Sequence, residues 1–400
     1  MAGLAAALAL LAAPAHGAEG EPPRPDAASW VVVDAADGDV LAARAPHRDL
    51  PMASTTKLMT ALLARRELEL DDIVTAAPYD AGAAESLMGL RAGESVSVHD
   101  LLYGLLLASG NDAAQTLAVA VSGSEDAFVA AMNRAAARLG LDETSYENPI
   151  GFDAVGQFTT VTDLTELAIE LRADPFLRRV VDTAEITLTE GEKTRRVANR
   201  NNLVRELPFV SGVKTGYTDG AGYVLVGSAT RGEVSVVSAL IGAPSEEARD
   251  DGTLELLRYG LSLYRKERVL AAGELLGEAG ILDRDVTVPL EASRAVGLTV
   301  RRDEQVEVRA EGVPVAVEGP IARGDQLGDA VITVDGAEEA RVPLVATRSE
   351  DAASLIERID ADLPGERLGA WGLLALGALA ALLLIAVPLV WLVRYRRARC

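Results

Sequence analysis

Residues 53–63 read ASTTKLMTALL, and this stretch places Ser54 three residues before Lys57, where an apolar segment with helical spacing begins. Side chains three residues apart on a helix face the same way, so these two are expected to meet. A helix start also offers unpaired N–H groups and the positive end of the helix dipole, which suit an oxyanion. Because a serine hydroxyl is a weak nucleophile without a base, the pair predicts serine acyl-transfer chemistry with Lys57 as the base. The alternative is that Ser54 is an ordinary helix cap and Lys57 a solvated charge.

Lysine is rare in this chain, so the positions that retain it are informative. Only four of the 38 basic residues are lysine, and two of these four, Lys57 and Lys214, lie in short motifs. Lysine can lose its proton near neutral pH when its surroundings disfavour charge, whereas arginine effectively cannot. A second cation near Lys57 would favour its neutral form further. This usage indicates a role that needs a neutral amine.

A second motif, Ser109-Gly110-Asn111, is expected in a loop between two apolar helices. There Ser109 could relay a proton, and Asn111 could hold an amide of the substrate. The alternative is a polar turn between helices.

The third motif, Lys214-Thr215-Gly216, is expected on a strand that continues through Tyr217. The cation and the hydroxyl could bind a substrate carboxylate, and the glycine would admit the backbone of a ligand. The alternative is an edge-strand lysine followed by a turn. The three motifs together are expected by chance in roughly one chain in a thousand, so the set is far more specific than any member.

Residues 211–214 form a second Ser-x-x-Lys pattern. We reject Ser211 as the nucleophile because Gly212 and Gly216 argue against the helix that would align it with Lys214.

Other chemistries find little support in the sequence. Histidine occurs only at His16, His47 and His99, the single cysteine is Cys400, and no Gly-x-Ser-x-Gly motif is present. We therefore expect no histidine triad, no disulfide, no metal site and no cofactor. Because the net charge is −22, we do not expect the protein to bind nucleic acid, which is itself negatively charged. Most of the acidic residues are interpreted as solvated surface residues.

Strand and helix signals predict one α+β domain over residues 29–267. A hairpin is expected around Asp37-Gly38, and strands are expected from Val213 to Gly242. Helices should lie between them, including one capped by Ser124 and one capped by Thr162. The strands at both ends of the domain are expected to share one sheet.

The composition changes near Arg268. Over residues 268–348, short valine-rich runs broken by glycine, proline and aspartate predict a small all-β domain. A charged connector follows at 349–367. The β-domain is interpreted as a spacer, and a surface for binding a partner is the alternative.

Both ends of the chain predict export and tethering. Residues 1–18 are interpreted as a signal peptide, with a buried helix as the alternative, and a polar linker follows at 19–28. Residues 368–393 predict a transmembrane helix, since the stretch Trp371–Val393 has about 23 residues without a charge and would extend about 34 Å. The basic tail, 394–400, predicts a cytoplasmic end, which places the rest of the chain on the extracytoplasmic face of a cell membrane.

Taken together, the motifs resemble a known family. ASTTKLMTALL, SGNDAA and VKTGYT, with NPIGF near Asn148 and TTVTDLTELA, are similar to low-molecular-weight penicillin-binding proteins of the serine-type D-alanyl-D-alanine carboxypeptidase family. The resemblance extends from about Ala28 to Leu344. It implies a β-lactamase/DD-peptidase-like antiparallel sheet flanked by helices, followed by the small all-β domain and one C-terminal transmembrane helix.

The resemblance also implies roles for individual residues. Ser54 would be the acylated nucleophile and Lys57 its base, with Ser109 beside them in the cleft. The oxyanion hole would be the N–H groups of Ser54 and Tyr217. For the two arginines, Arg200 and Arg249, a surface ion pair is the alternative. The implied substrate-binding residues are Asn111, Lys214, Thr215, Gly216, Tyr217, Arg200 and Arg249.

The implied activity is removal of the terminal D-alanine from peptidoglycan stem peptides that end in D-Ala-D-Ala, with β-lactams as covalent inhibitors. A DD-endopeptidase and a serine β-lactamase on the same scaffold are alternatives, and a non-catalytic wall-binding protein is less favoured. The stretch Glu147–Gly151 lacks the Glu-x-x-Leu-Asn pattern of class A β-lactamases. Gly110 stands where β-lactamases usually carry aspartate, and Tyr217 stands where some family members carry histidine; both departures leave the implied chemistry intact.

Overall fold

The computed structural model describes residues 20–190, 192–362, 377–382 and 384–388. They form two compact units, the first ending at Tyr264 and the second beginning at Arg265. The sequence composition predicts a boundary after residue 267. The predicted and the observed boundary both lie within one strand, Tyr264–Leu270. The predicted signal peptide and basic tail lie outside the described residues.

A five-stranded antiparallel sheet organises the first unit, in the order β2-β1-β9-β8-β7. The N-terminal hairpin β1–β2 joins the C-terminal strands through β1 and β9, where Val31 faces Ala239. The prediction that the two ends of this domain share a sheet is therefore confirmed. The strands of this unit are β1 Ser29–Asp34, β2 Val40–Arg44, β3 Ile73–Thr75, β4 Ser95–Ser97, β5 Glu185–Leu188, β6 Arg195–Ala198, β7 Val210–Thr218, β8 Gly222–Arg231 and β9 Val234–Ala243.

Strand β1 shows how the sequence builds a core on each face of this sheet. Successive side chains on a strand point to opposite faces. Val31 and Val33 accordingly join the larger core, whereas Trp30 and Val32 join the smaller one. The helices of this unit are α1 Lys57–Glu67, α2 Val98–Leu106, α3 Asn111–Ser122, α4 Glu125–Leu139, α5 Val161–Ala173, α6 Pro175–Asp182, α7 Asn202–Glu206 and α8 Glu246–Ser262.

The sequence predicts the caps of α4 correctly, but it predicts the wrong N-terminal cap for α5. Ser124 accepts a hydrogen bond from the N–H of Ala127, and Gly140 ends α4 in the left-handed conformation, both as predicted. The predicted cap Thr162 is wrong. The cap of α5 is Thr160, while the Thr162 hydroxyl donates to the carbonyl of Pro46, a contact that the local sequence cannot indicate.

The second unit is rich in β-structure, as predicted. Strands β11, β12 and β14–β17 form a six-stranded sheet in the order β14-β16-β17-β12-β11-β15, and β10 pairs with β13. Alternating apolar residues such as Val288, Leu290 and Ala292 build its core. Its elements are β10 Tyr264–Leu270, β11 Leu275–Ile281, β12 Thr287–Ala292, β13 Val296–Arg301, β14 Val306–Glu311, β15 Ala316–Val317, β16 Gln326–Val334, β17 Ala337–Ala346 and α9 Leu355–Asp362.

The predicted transmembrane helix at 368–393 falls largely outside the described residues. Within it, 377–382 and 384–388 are described and helical. Over the described ranges, none of the helices combines the length and apolar character that crossing a bilayer requires.

Candidate active site

Ser54 lies in a short 3₁₀ turn, Ala53–Thr56, directly before α1, whereas the sequence predicts one helix from Met52 onward. Two threonine hydroxyls, of Thr55 and Thr56, donate to the backbone carbonyls three residues earlier. Such side-chain bonds compete with regular helical pairing. Ser54 is therefore held half-buried on a tight turn at the start of α1.

Two glycines from distant parts of the chain bring other backbone segments against this turn. A Cβ at Gly151 would lie 1.9 Å from the carbonyl oxygen of Ala53, and Gly151 has a φ of +104°. A Cβ at Gly216, on β7, would lie 3.0 Å from the backbone nitrogen of Ser54. Larger residues at either position would push the Ser54 turn away from its neighbours.

The side chain of Lys57 meets Ser54, as the spacing predicts. Its Nζ donates to Ser54 Oγ at 3.1 Å and to the carbonyl oxygen of Ile150 at 2.7 Å. The lysine is fully buried, with 0% of its surface exposed. The Ile150 carbonyl, which the motif does not reveal, fixes the direction of the amine.

Burial lowers the pKa of Lys57 to about 7, and the charge of Arg200 adds to this effect. The carboxylates of Glu85 and Asp112 oppose it. At neutral pH about half of the Lys57 amine is therefore free to accept a proton.

The second motif leads into α3, whose Asp112 lies near enough for its charge to act on Lys57. Ser109 is buried and has a positive φ of +61°. Within the described part of the chain, its Oγ has no hydrogen-bond partner, so the hydroxyl is available to a ligand or a proton relay. Asn111, the first residue of α3, donates from Nδ2 to Glu85 Oε2 at 2.8 Å.

The third motif lies on β7, at the edge of the five-stranded sheet. Lys214 is buried, and its Nζ donates to the carbonyl oxygen of Thr215 at 2.8 Å. Burial, followed by the nearby charges of Lys57 and two arginines, holds the pKa of Lys214 well below its usual range. Tyr217 is 53% exposed, and its ring lies 4.5 Å from that of Tyr223.

The two predicted arginines differ in their surroundings. Arg200 is exposed, and its charge lowers the pKa of both site lysines. Arg249 is buried and already paired, with Glu246 at 3.0 Å and Asp250 at 2.7 Å. Arg249 therefore has the carboxylate partners of the surface ion-pair alternative, but it is buried rather than at the surface.

Sequence reasoning missed Glu85. Its carboxylate accepts a hydrogen bond from Asn111 and raises the pKa of Lys57, although Glu85 lies outside all three motifs. The sequence around Glu85 does not indicate that it reaches the site, because 26 residues separate it from its partner Asn111.

Comparison with known proteins identifies the family. The family profile described as D-alanyl-D-alanine carboxypeptidase matches residues 17–245, more than half of the chain. The chain belongs to the D-alanyl-D-alanine carboxypeptidase family. A profile of the C-terminal domain of penicillin-binding protein 5 matches residues 264–352 of this carboxypeptidase. The family resemblance and the serine-type D-Ala-D-Ala carboxypeptidase activity predicted from the sequence are thus confirmed.

Individual D-alanyl-D-alanine carboxypeptidases are similar along most of their length. DacD of Salmonella typhimurium is 32% identical over 366 residues, which cover 87% of this chain and 93% of the relative. Penicillin-binding protein 5 from Haemophilus influenzae has a TM-score of 0.58 and 28% identity, covering 82% of this chain and 99% of that chain. Penicillin-binding protein 6B from Escherichia coli has a TM-score of 0.60 and 28% identity, covering 82% and 98%. The β-lactamase and endopeptidase alternatives are not favoured by these similarities.

Proposed function

We propose that this carboxypeptidase forms its acyl-enzyme on Ser54, with Lys57 as the general base. The observation that carries the proposal is the 3.1 Å contact between Lys57 Nζ and Ser54 Oγ. A base with a pKa near the working pH is neutral often enough to accept a proton and acidic enough to return it. The pKa of about 7 for Lys57 meets that requirement.

In the first step, the Ser54 hydroxyl proton passes to Lys57 Nζ while Oγ bonds the carbonyl carbon of the penultimate D-alanine. The C–N bond then breaks, and Lys57 returns the proton, relayed by the Ser109 hydroxyl, to the leaving nitrogen of the terminal D-alanine. Water hydrolyses the resulting ester and restores the hydroxyl. The N–H groups of Ser54 and Tyr217 would stabilise the oxyanion, and the close approach of Gly216 to the Ser54 nitrogen supports this role.

Substrate binding is proposed to use the unpaired edge of β7. Over the described residues, β7 pairs only with β8 in the sheet, so an extended peptide can add along its other edge. The terminal carboxylate would pair with Lys214 and Thr215. Since burial and neighbouring cations hold the pKa of Lys214 below its usual range, an arriving carboxylate supplies the counter-charge that stabilises the protonated amine. Asn111 would hold an amide of the stem peptide.

A free terminal carboxylate should therefore be required. We expect a stem pentapeptide ending in D-Ala-D-Ala to release D-alanine, and its C-terminally amidated form to react on the order of 100-fold more slowly, because Lys214 then lacks a partner. The measurement is kcat/KM from mass-spectrometric product analysis. Equal rates for the two peptides would contradict the role of Lys214. Cross-linked muropeptides are the comparison substrate, and their faster cleavage would favour the endopeptidase alternative.

We also propose that the protein is tethered by residues 368–393 with its catalytic unit on the extracytoplasmic face of the cell membrane. The uncharged segment is long enough to span a bilayer, and the basic tail at 394–400 favours a cytoplasmic end. The test is to express the full chain and a chain ending at residue 367 in bacteria and to fractionate the cells. The full chain should stay in carbonate-washed membranes and be open to protease in spheroplasts, while the shorter chain is released. Release of both chains would contradict the proposal.

A further inference from the structure

The loop of residues 78–90 brings Glu85 to the second motif. The Glu85 carboxylate accepts hydrogen bonds from Asn111 Nδ2 at 2.8 Å, from the backbone N–H of Gly82 at 2.7 Å and from the hydroxyl of Tyr79. Burial opposes ionisation of Glu85, but these hydrogen bonds and the charge of Lys57 outweigh it and hold its pKa below the usual range. Glu85 is therefore a carboxylate at neutral pH.

The 78–90 loop is also fixed to α3 through backbone groups. The N–H of Asn111 donates to the carbonyl oxygen of Ser86 at 2.8 Å. The carboxylate of Asp112 accepts three successive loop N–H groups, those of residues 88–90, each at 2.8 Å. Gly110 permits this approach, because a Cβ there would lie 2.9 Å from the backbone nitrogen of Met88. The glycine that departs from the β-lactamase pattern is thus the residue that lets the loop reach the site.

We propose that Glu85 is a positioning residue of this carboxypeptidase, which holds the carboxamide of Asn111 and balances the positive charge around Lys57. The inference rests on the proposed roles of those two residues. A carboxylate only accepts hydrogen bonds, so only the NH₂ end of Asn111 can face it. One N–H is used by Glu85, and Oδ1 faces away from the carboxylate, where it can accept a hydrogen bond from an amide group of the stem peptide.

The charge of Glu85 acts on Lys57 together with groups from three other parts of the fold. Arg200 and Lys214 are the nearby cations, and Asp112 on α3 is the other nearby carboxylate. Removing one negative charge from this set makes the protonated amine less favourable. The pH at which Lys57 gains its proton should therefore fall when Glu85 is neutralised.

The Glu85→Gln variant removes the charge but keeps the shape and an acceptor oxygen. We expect the acid limb of the pH dependence of penicillin acylation to move to lower pH by at least about half a unit, with a melting temperature near that of the wild type. The Glu85→Ala variant also removes the contact with Asn111. We expect its kcat/KM for D-alanine release to fall about tenfold to a hundredfold. A purely structural role would lower the melting temperature without moving the acid limb.

The matched control is Glu255→Gln, which removes one carboxylate from an exposed position on α8. Its acid limb should coincide with that of the wild type. If Glu85→Gln also keeps the wild-type acid limb while the wild type releases D-alanine, the inference is wrong. A wild type that releases no D-alanine would instead overturn the proposed function, so the two failures are distinguishable.

Discussion

The Ser54→Ala variant should lose both D-alanine release and covalent labelling by fluorescent penicillin, with activity falling on the order of 10⁴-fold or more. The physical reason is that Ser54 Oγ, the hydroxyl that receives the hydrogen bond from Lys57 Nζ, is the oxygen proposed to form the ester. The loss should appear in kcat, since the carboxylate and amide contacts proposed for Lys214 and Asn111 remain. Intact mass after incubation with penicillin measures the acyl-enzyme, and peptide mapping locates it.

The second Ser-x-x-Lys provides the matched control for this experiment. Ser211 is half-buried, and its Oγ lies 3.4 Å from Ser228 Oγ on the neighbouring strand. The Ser211→Ala variant should keep labelling close to that of the wild type. Labelling that survives in Ser54→Ala, or disappears in Ser211→Ala, would show that the nucleophile is assigned to the wrong residue.

Replacing Lys57 by arginine should slow acylation on the order of 10³-fold although the positive charge is kept. Arginine cannot give up its proton in this pH range, so it cannot take the proton of Ser54. The rate of labelling by fluorescent penicillin measures the effect, and thermal melting reports whether the larger side chain is accommodated. Lys266→Arg, at an exposed position in the second unit, is the control and should leave the rate unchanged. A Lys57→Arg enzyme that acylates at a near-normal rate would refute a neutral lysine base.

The pH dependence of the wild type tests the same base without a substitution. Only the neutral amine accepts a proton, and its fraction rises as the pH passes the pKa of about 7. The acylation rate should therefore fall about tenfold per unit well below that pH and level off above it. A rate that is flat from pH 5 to pH 8 would contradict the role of Lys57.

The sequence predicts structure best where a local signal and the tertiary packing agree. In the β1–β2 hairpin, alternating residues pack into the two cores on opposite faces of one sheet. Val31 belongs to the larger core and Val32 to the smaller one. The helix α4 begins at Ser124 and ends at Gly140, because both residues satisfy backbone groups within their own segment.

Prediction fails where a distant segment selects between local alternatives. Thr160 and Thr162 are both reasonable caps for α5, and the contact between Thr162 and Pro46 accompanies the choice of Thr160. The 3₁₀ turn at Ser54 likewise packs against Gly151, a residue almost a hundred positions away, and no local pattern indicates this contact.

The sequence by itself determined the three motifs, their order and the family, because the chemistry accepts few residue types at each position of a motif. Only the tertiary structure decided how Lys57 is tuned and that Glu85 lies at the site. Burial and the contact with the Ile150 carbonyl, 93 residues away, come from the packed core rather than from the motif. Desolvation and Coulomb forces act through space, so the chain must fold before the pKa of this amine has a value near neutrality.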